Sequence, residues 1–219
     1  MEWDYRHEKN STYYHGINSI CNKAMECFKP LKCKEASDYR DDAEKLCDSK
    51  INNFPDNQNC IISFFVEAYS AQSSPCSCFS KYDFLHSNLT RRRTAYQNGK
   101  ECIMEYVRKN CEEISVDYFS KRYEKLANAF STQPSVHNCT DEHHQLKHLQ
   151  CQAALLETKN RIDKLQLFDG LFGSSRVKDV VKACKDTEMC IQEDDCFTST
   201  DIPRELDRIP VCGNRIKFD

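Results

Sequence analysis

Apolar residues recur along this chain with the period of a helix, and no segment sustains the alternation of a strand. The clearest run is Val116, Phe119, Tyr123, Leu126 and Phe130, whose steps of 3, 4, 3 and 4 share one helical face. Ser115 before it is a predicted N-cap. Cys151, Leu155, Thr158, Ile162 and Leu165 step 4, 3, 4 and 3. Thr140, Asp141 and Glu142 supply a start for that helix, since acids suit the positive end of the helix dipole. Val177, Val180, Val181 and Cys184 give a third helical set after an interruption at GLFGSS, 170–175.

Upstream the pattern is weaker. Residues 34–50 read as a charged helix with Tyr39, Ala43, Leu46 and Cys47 inward, broken by the turn-rich NNFPDNQN at 52–59. Cys60 to Tyr69 is apolar on several sides and predicts a short buried helix, followed by a loop at 71–78. Thr90 is a predicted cap for a helix to Asn110, with Ala95, Cys102, Ile103, Tyr106 and Val107 inward. Asn98-Gly99 sits in its middle, where glycine costs about 1 kcal/mol against alanine. A short helix is predicted after Asp201. The expectation is an all-α bundle of about six to eight helices, cross-linked by disulfides, with little or no β structure. Residues 1–20 are expected to be a polar arm, 21–212 one cysteine-rich domain and 213–219 a tail.

Composition sharpens this picture. Five glycines and six prolines in 219 residues suit long helices. Fifteen cysteines point to an oxidising, extracellular setting. The first residues, MEWDYRHEKN, hold no apolar stretch, so a secretory leader is expected to be missing or removed. No apolar run is long enough for a transmembrane segment. A net charge of −3 gives no basic surplus for a phosphate backbone, which argues against nucleic acid. Arg91-Arg92-Arg93 reads as a solvated helix face.

The cysteines form two triads of equal spacing, Cys21, Cys27, Cys33 and Cys184, Cys190, Cys196. Zinc sites bring ligand pairs two to four residues apart, which these are not. On one helix each step of six rotates by about 240°, so the three point in three directions. They cannot converge on one ion, but each can reach a different neighbour, as cross-links do. Pro30 is expected to break the helix within the first triad. All fifteen are assigned to disulfides with pairing open: Cys21, Cys27, Cys33, Cys47, Cys60, Cys76, Cys78, Cys102, Cys111, Cys139, Cys151, Cys184, Cys190, Cys196 and Cys212. The odd count leaves at least one thiol over.

The stretches HSNLTRRRTAYQNGKECIMEYVRKNC (86–111), HHQLKHLQCQAALL (143–156) and CKDTEMC (184–190) resemble a nematode family of cysteine-rich secreted domains called domain of unknown function nineteen. The likeness covers most of residues 21–200. It implies an extracellular, largely helical, disulfide-rich domain and carries over no catalytic residue.

Sequons place glycosylation candidates at Asn10, Asn88 and Asn138, with Asn88 best exposed ahead of a helix. Glu142, His143, His144 and His148 form the most chemical-looking cluster. His144 and His148 lie i, i+4 and are weak metal candidates, with Cys151 in reach as a third ligand. The metalloprotease pattern needs Glu after the first His, where Gln145 stands. SSPCSCFS gives no context for a cysteine nucleophile. The reading is a secreted, non-enzymatic binding module for an extracellular protein or small ligand, with no cofactor. Its rivals are a metal-binding protein and a carrier of lipid or small apolar ligands, which the aromatics Phe64, Phe65, Phe119 and Phe130 would line.

Overall fold

A computed structural model describes residues 11–71, 78–133, 139, 141–166, 175–199 and 201–213. Among them are eleven α-helices and one 3₁₀ helix, and no strand. The helices are α1 Ser11–Phe28, α2 Lys34–Asn52, α3 Pro55–Ala71, α4 Cys78–Lys81, α5 Leu89–Asn98 and α6 Lys100–Asn110. Then come α7 Glu113–Ser131, α8 Glu142–Gln166, α9 Ser175–Gln192, the 3₁₀ helix Asp195–Ser199, α10 Asp201–Asp207 and α11 Pro210–Gly213. The number exceeds the sequence expectation because α4 and α11 are single turns without a periodic signature, and because Gly99 divides the segment 89–110 in two. A Cβ at Gly99 would lie 2.6 Å from the Phe84 ring, so the close approach of that ring requires glycine.

Two apolar clusters build the interior, and α8 belongs to both. Leu146, Leu149, Ala153 and Ala154 face a large aromatic cluster with Phe64 and Phe65 of α3 and Phe119, Tyr123 and Phe130 of α7. Cys151 and Leu155, with Ile162 and Leu165 at the edge, face a smaller one with Val180, Phe197, Ile202 and Leu206. A helix covered on two sides shows no single apolar stripe, and the sequence exposes only one of the two.

Helix starts differ from the residues expected. Asn88, not Thr90, caps α5, its Oδ1 accepting from the Arg91 amide at 3.1 Å. Ser115 lies inside α7 and is buried; its hydroxyl bonds Asn57 Oδ1 at 3.1 Å, because a buried hydroxyl must find a partner. Thr140 is outside the described residues. The turn-rich 52–59 is a break only at Asn53-Phe54, since Pro55 opens α3, a position where its missing N–H costs nothing. Residues 11–20, expected as part of a loose arm, begin α1, and Tyr14 is buried against Phe54 at 4.9 Å.

Tyr39 and Leu46, expected inward, are 68% and 62% exposed. The side of α2 that meets the body is Ala36, Asp48, Ile51 and Asn52. Polar partners decide this: Asp48 accepts from Arg122 and from Lys125 of α7, and Asn52 joins Tyr118 at 2.7 Å and Glu142 at 2.6 Å. Hydrophobicity alone selects the wrong side of such a helix.

Candidate functional site

Arg92 overturns the reading of its basic run as a solvated face. It is only 2% exposed, whereas Arg91 is exposed. Its guanidinium donates to both oxygens of Glu193, at 2.6 and 2.8 Å, and to the carbonyls of His86 and Phe130. Lys147, also buried, donates to Glu193 Oε2 at 2.7 Å. Burial would raise the Glu193 carboxyl, but the bonds from Arg92 and the charge of Lys147 prevail and bring it down to about 2. Burial pushes Lys147 down from its ordinary range. This network locks the segment after α9 onto α5 and α8.

The next residue, Asp194, carries the chemistry. Its Oδ2 lies 2.5 Å from His144 Nδ1, with both side chains buried. Its Oδ1 accepts from the Cys196 amide at 3.0 Å. The other ring nitrogen of His144, Nε2, lies 3.8 Å from the sulfur of Cys196. Carboxylate, imidazole and sulfur therefore stand in a row, in the order of an orienting group, a base and a nucleophile. The sulfur is not free: Cys196 is bridged to Cys139 at 2.04 Å.

Ligand-type atoms of His144, Asp194 and Cys196 lie within 4.8 Å of one another, a group that omits His148. In a disulfide the Cys196 sulfur is no thiolate, so the group offers no thiolate ligand. His148 instead packs on the Phe197 ring at 5.8 Å, beside an open groove of about 500 Å³ between α8 and α10. Cys151 is bridged to Cys190 and can ligate nothing. Glu142 accepts from Asn52, and burial raises its carboxyl. Burial lowers both His143 and His148.

Six bridges are described: Cys21–Cys47, Cys60–Cys111, Cys78–Cys102, Cys139–Cys196, Cys151–Cys190 and Cys184–Cys212. Cys27 and Cys33, assigned to disulfides from sequence, are free and exposed. Cys27 lies on the outer side of α1 and Cys33 caps α2 at the chain reversal, so neither faces a neighbouring helix. Cys76, Asn10 and Asn138 are outside the described residues. Asn88 is exposed.

The α1–α2 hairpin presents a second feature. Tyr13, Ile20, Leu31, Tyr39 and Leu46 are 49 to 69% exposed, more than any other large apolar side chain among the described residues. Tyr13, Ile20 and Cys27 are spaced by seven and lie about a quarter turn from Cys21 around α1. Tyr39 and Leu46 lie about a quarter turn from Cys47 around α2, in the same rotational sense. The two helices reverse direction and are bridged at Cys21–Cys47, so equal offsets point to one side, opposite the buried Tyr14, Asp48 and Ile51.

Phe64, Phe119 and Phe130 enclose, with Ile61, Tyr96 and others, a void of about 10 Å³. That is room for about one water molecule, not for an acyl chain. The aromatics that a carrier would need are packed edge to face, with Phe65 and Phe130 centroids at 4.7 Å.

A family model described as Domain of unknown function (DUF19) matches residues 2–140. The match ends ahead of α8, short of the stretch to residue 200 expected from the resemblance. No curated protein and no solved structure matches the chain.

Proposed function

We propose a non-enzymatic binding role outside the cell for this chain, which belongs to the family Domain of unknown function (DUF19). Six disulfides support an oxidising location. No helix among the described residues is long and apolar enough to cross a membrane. The observation that carries the binding role is the outward apolar side of the α1–α2 hairpin. Scattered apolar side chains are ordinary on a surface, but Tyr13, Ile20, Tyr39 and Leu46 on one side of one hairpin, with Leu31 exposed at its turn, mark a contact surface for another protein. Its disulfide Cys21–Cys47 holds the two helices in register, so little ordering is needed on binding. In this setting Asn88 carries a glycan on Nδ2 while its Oδ1 keeps the cap of α5.

The test places a photo-crosslinking residue at Tyr39 or, as a control, at Leu156 in protein returned to its native extracellular fluid. A discrete adduct from position 39, lost when Ile20 and Leu46 are changed to Asp, is the expected result. Adducts of equal yield from both positions, or a hydrolytic activity abolished by one substitution, would overturn the reading.

A further inference from the structure

We propose that the Cys139–Cys196 bridge is a thiol-exchange site, opened by an external thiol with Cys196 as the leaving sulfur beside His144. Access narrows the choice to the two described bridges with an exposed half, Cys78–Cys102 and Cys139–Cys196, and the surroundings of Cys196 then single out the second. Every other described bridge has at least one buried cysteine: Cys21, Cys60, Cys102, both of Cys151 and Cys190, and both of Cys184 and Cys212. In Cys139–Cys196 neither half is buried, and Cys139 is exposed. Exchange requires a thiolate to reach one sulfur and the other to leave; Cys78 is also exposed, but its partner Cys102 is buried among apolar residues, where a departing thiolate is poorly stabilised.

The surroundings make the two sulfurs unequal. Cys196 has the His144 imidazole 3.8 Å away and the Asp194 carboxylate behind it, both buried. An imidazolium beside a sulfur stabilises its thiolate, and a stabilised thiolate leaves faster. Asp194 also accepts from the Cys196 amide, which keeps that sulfur at the ring after the bond breaks. An incoming thiolate therefore attacks the Cys139 sulfur. The S–S bond breaks, its electron pair leaves on Cys196, and a mixed disulfide forms at Cys139. A second thiolate attacks the external sulfur of that mixed disulfide and releases Cys139. Two external thiols are oxidised to one disulfide. The protein gains two electrons and two protons, one proton resting on the Cys196–His144 pair.

Position gives the exchange a consequence. The bridge closes the longest interval of the six, 57 residues. It joins Cys139, at the end of the DUF19-matched segment, to the segment beyond. The other five described bridges each lie wholly within one segment or the other. Opening it removes the described cross-link between the two while both interiors keep theirs.

The test blocks Cys27 and Cys33 on native protein by alkylation, then adds reduced glutathione at neutral pH. Samples are quenched in acid, alkylated again and mapped by mass spectrometry. The expected first product carries glutathione on Cys139 and a free Cys196, appearing about tenfold faster than opening of any other bridge. His144→Asn should slow it about tenfold and erase the preference for Cys139, with helical content and the opening rate of Cys151–Cys190 unchanged. Earlier opening of another bridge, adducts shared equally between Cys139 and Cys196, or an unaltered rate in the variant would each overturn the proposal. The mapping on unaltered protein stands by itself, so a variant that fails to fold does not shield it.

Discussion

Two triads with the same spacing meet different fates. Cys184, Cys190 and Cys196 reach α11, α8 and Cys139 respectively. Of Cys21, Cys27 and Cys33 only the first is bridged, to α2. The rotation of about 240° between the first two cysteines is common to both, and in both the third lies beyond the end of the helix. What differs is the company. Helix α9 packs against α8, α10 and α11, so its successive directions meet protein. The side of α1 that carries Cys27 is exposed among the described residues, and α1 packs chiefly against α2. The intervals after the middle cysteine differ too. Glu193 and Asp194 pin one of them to Arg92, Lys147 and His144, whereas Pro30 and an exposed Leu31 turn the other back on itself. Spacing sets where a cysteine points; packing decides whether a partner is there.

The largest effect that would sharpen this contrast comes from the second triad. Changing Cys151 and Cys190 together to Ser should cost about 4 kcal/mol, from the entropy of a 39-residue closure, read by denaturant unfolding. A loss equal to that of an exposed cysteine pair would break the comparison. Next is acid. The folded Glu193 carboxyl lies near 2, below its unfolded range near 4.3, so its contribution is complete above about pH 5 and fades as pH falls toward 2. Thermal unfolding followed across that window should lose up to about 3 kcal/mol of stability from this group, and Glu193→Gln should remove the dependence. Smaller again, Ile20→Ser and Leu46→Ser should shift stability by no more than about 0.5 kcal/mol, since neither side chain is buried, while eliminating the crosslinked partner. Smallest is the first triad's free pair: Cys27→Ser with Cys33→Ser should leave the unfolding midpoint unchanged within about 0.5 kcal/mol.

Much of the fold was legible. The steps of 3 and 4 in α7 and along one side of α8 follow from burial on a single face, and those residues lie where expected. Burial on a second face of α8 was not legible, because Leu146, Leu149 and Ala153 blur the stripe that Leu155 belongs to. The outward side of α2 was misassigned because Asp48 and Asn52 point inward to partners about 70 residues away, and a periodicity of apolarity is blind to buried ion pairs. The sequence pairs His144 with His148, whereas the structure sets it beside Asp194 and Cys196. The i, i+4 neighbour His148 belongs to another surface, while Asp194 and Cys196 lie 50 and 52 residues on and come to His144 only through the packing of α9 on α8. A single sequence holds no mark of that approach. Arg92 was hidden for the same reason, since Glu193 lies 101 residues away.

The most direct test of the account is a disulfide map of the oxidised protein, alkylated before reduction. The structure requires Cys184–Cys212, Cys190–Cys151, Cys196–Cys139 and Cys21–Cys47 as bridged peptides, with Cys27 and Cys33 alkylated in the native state. A bridge at Cys27 or Cys33, or a second triad paired in any other order, would contradict the claim that packing around each helix, and not spacing, decides which cysteines are joined.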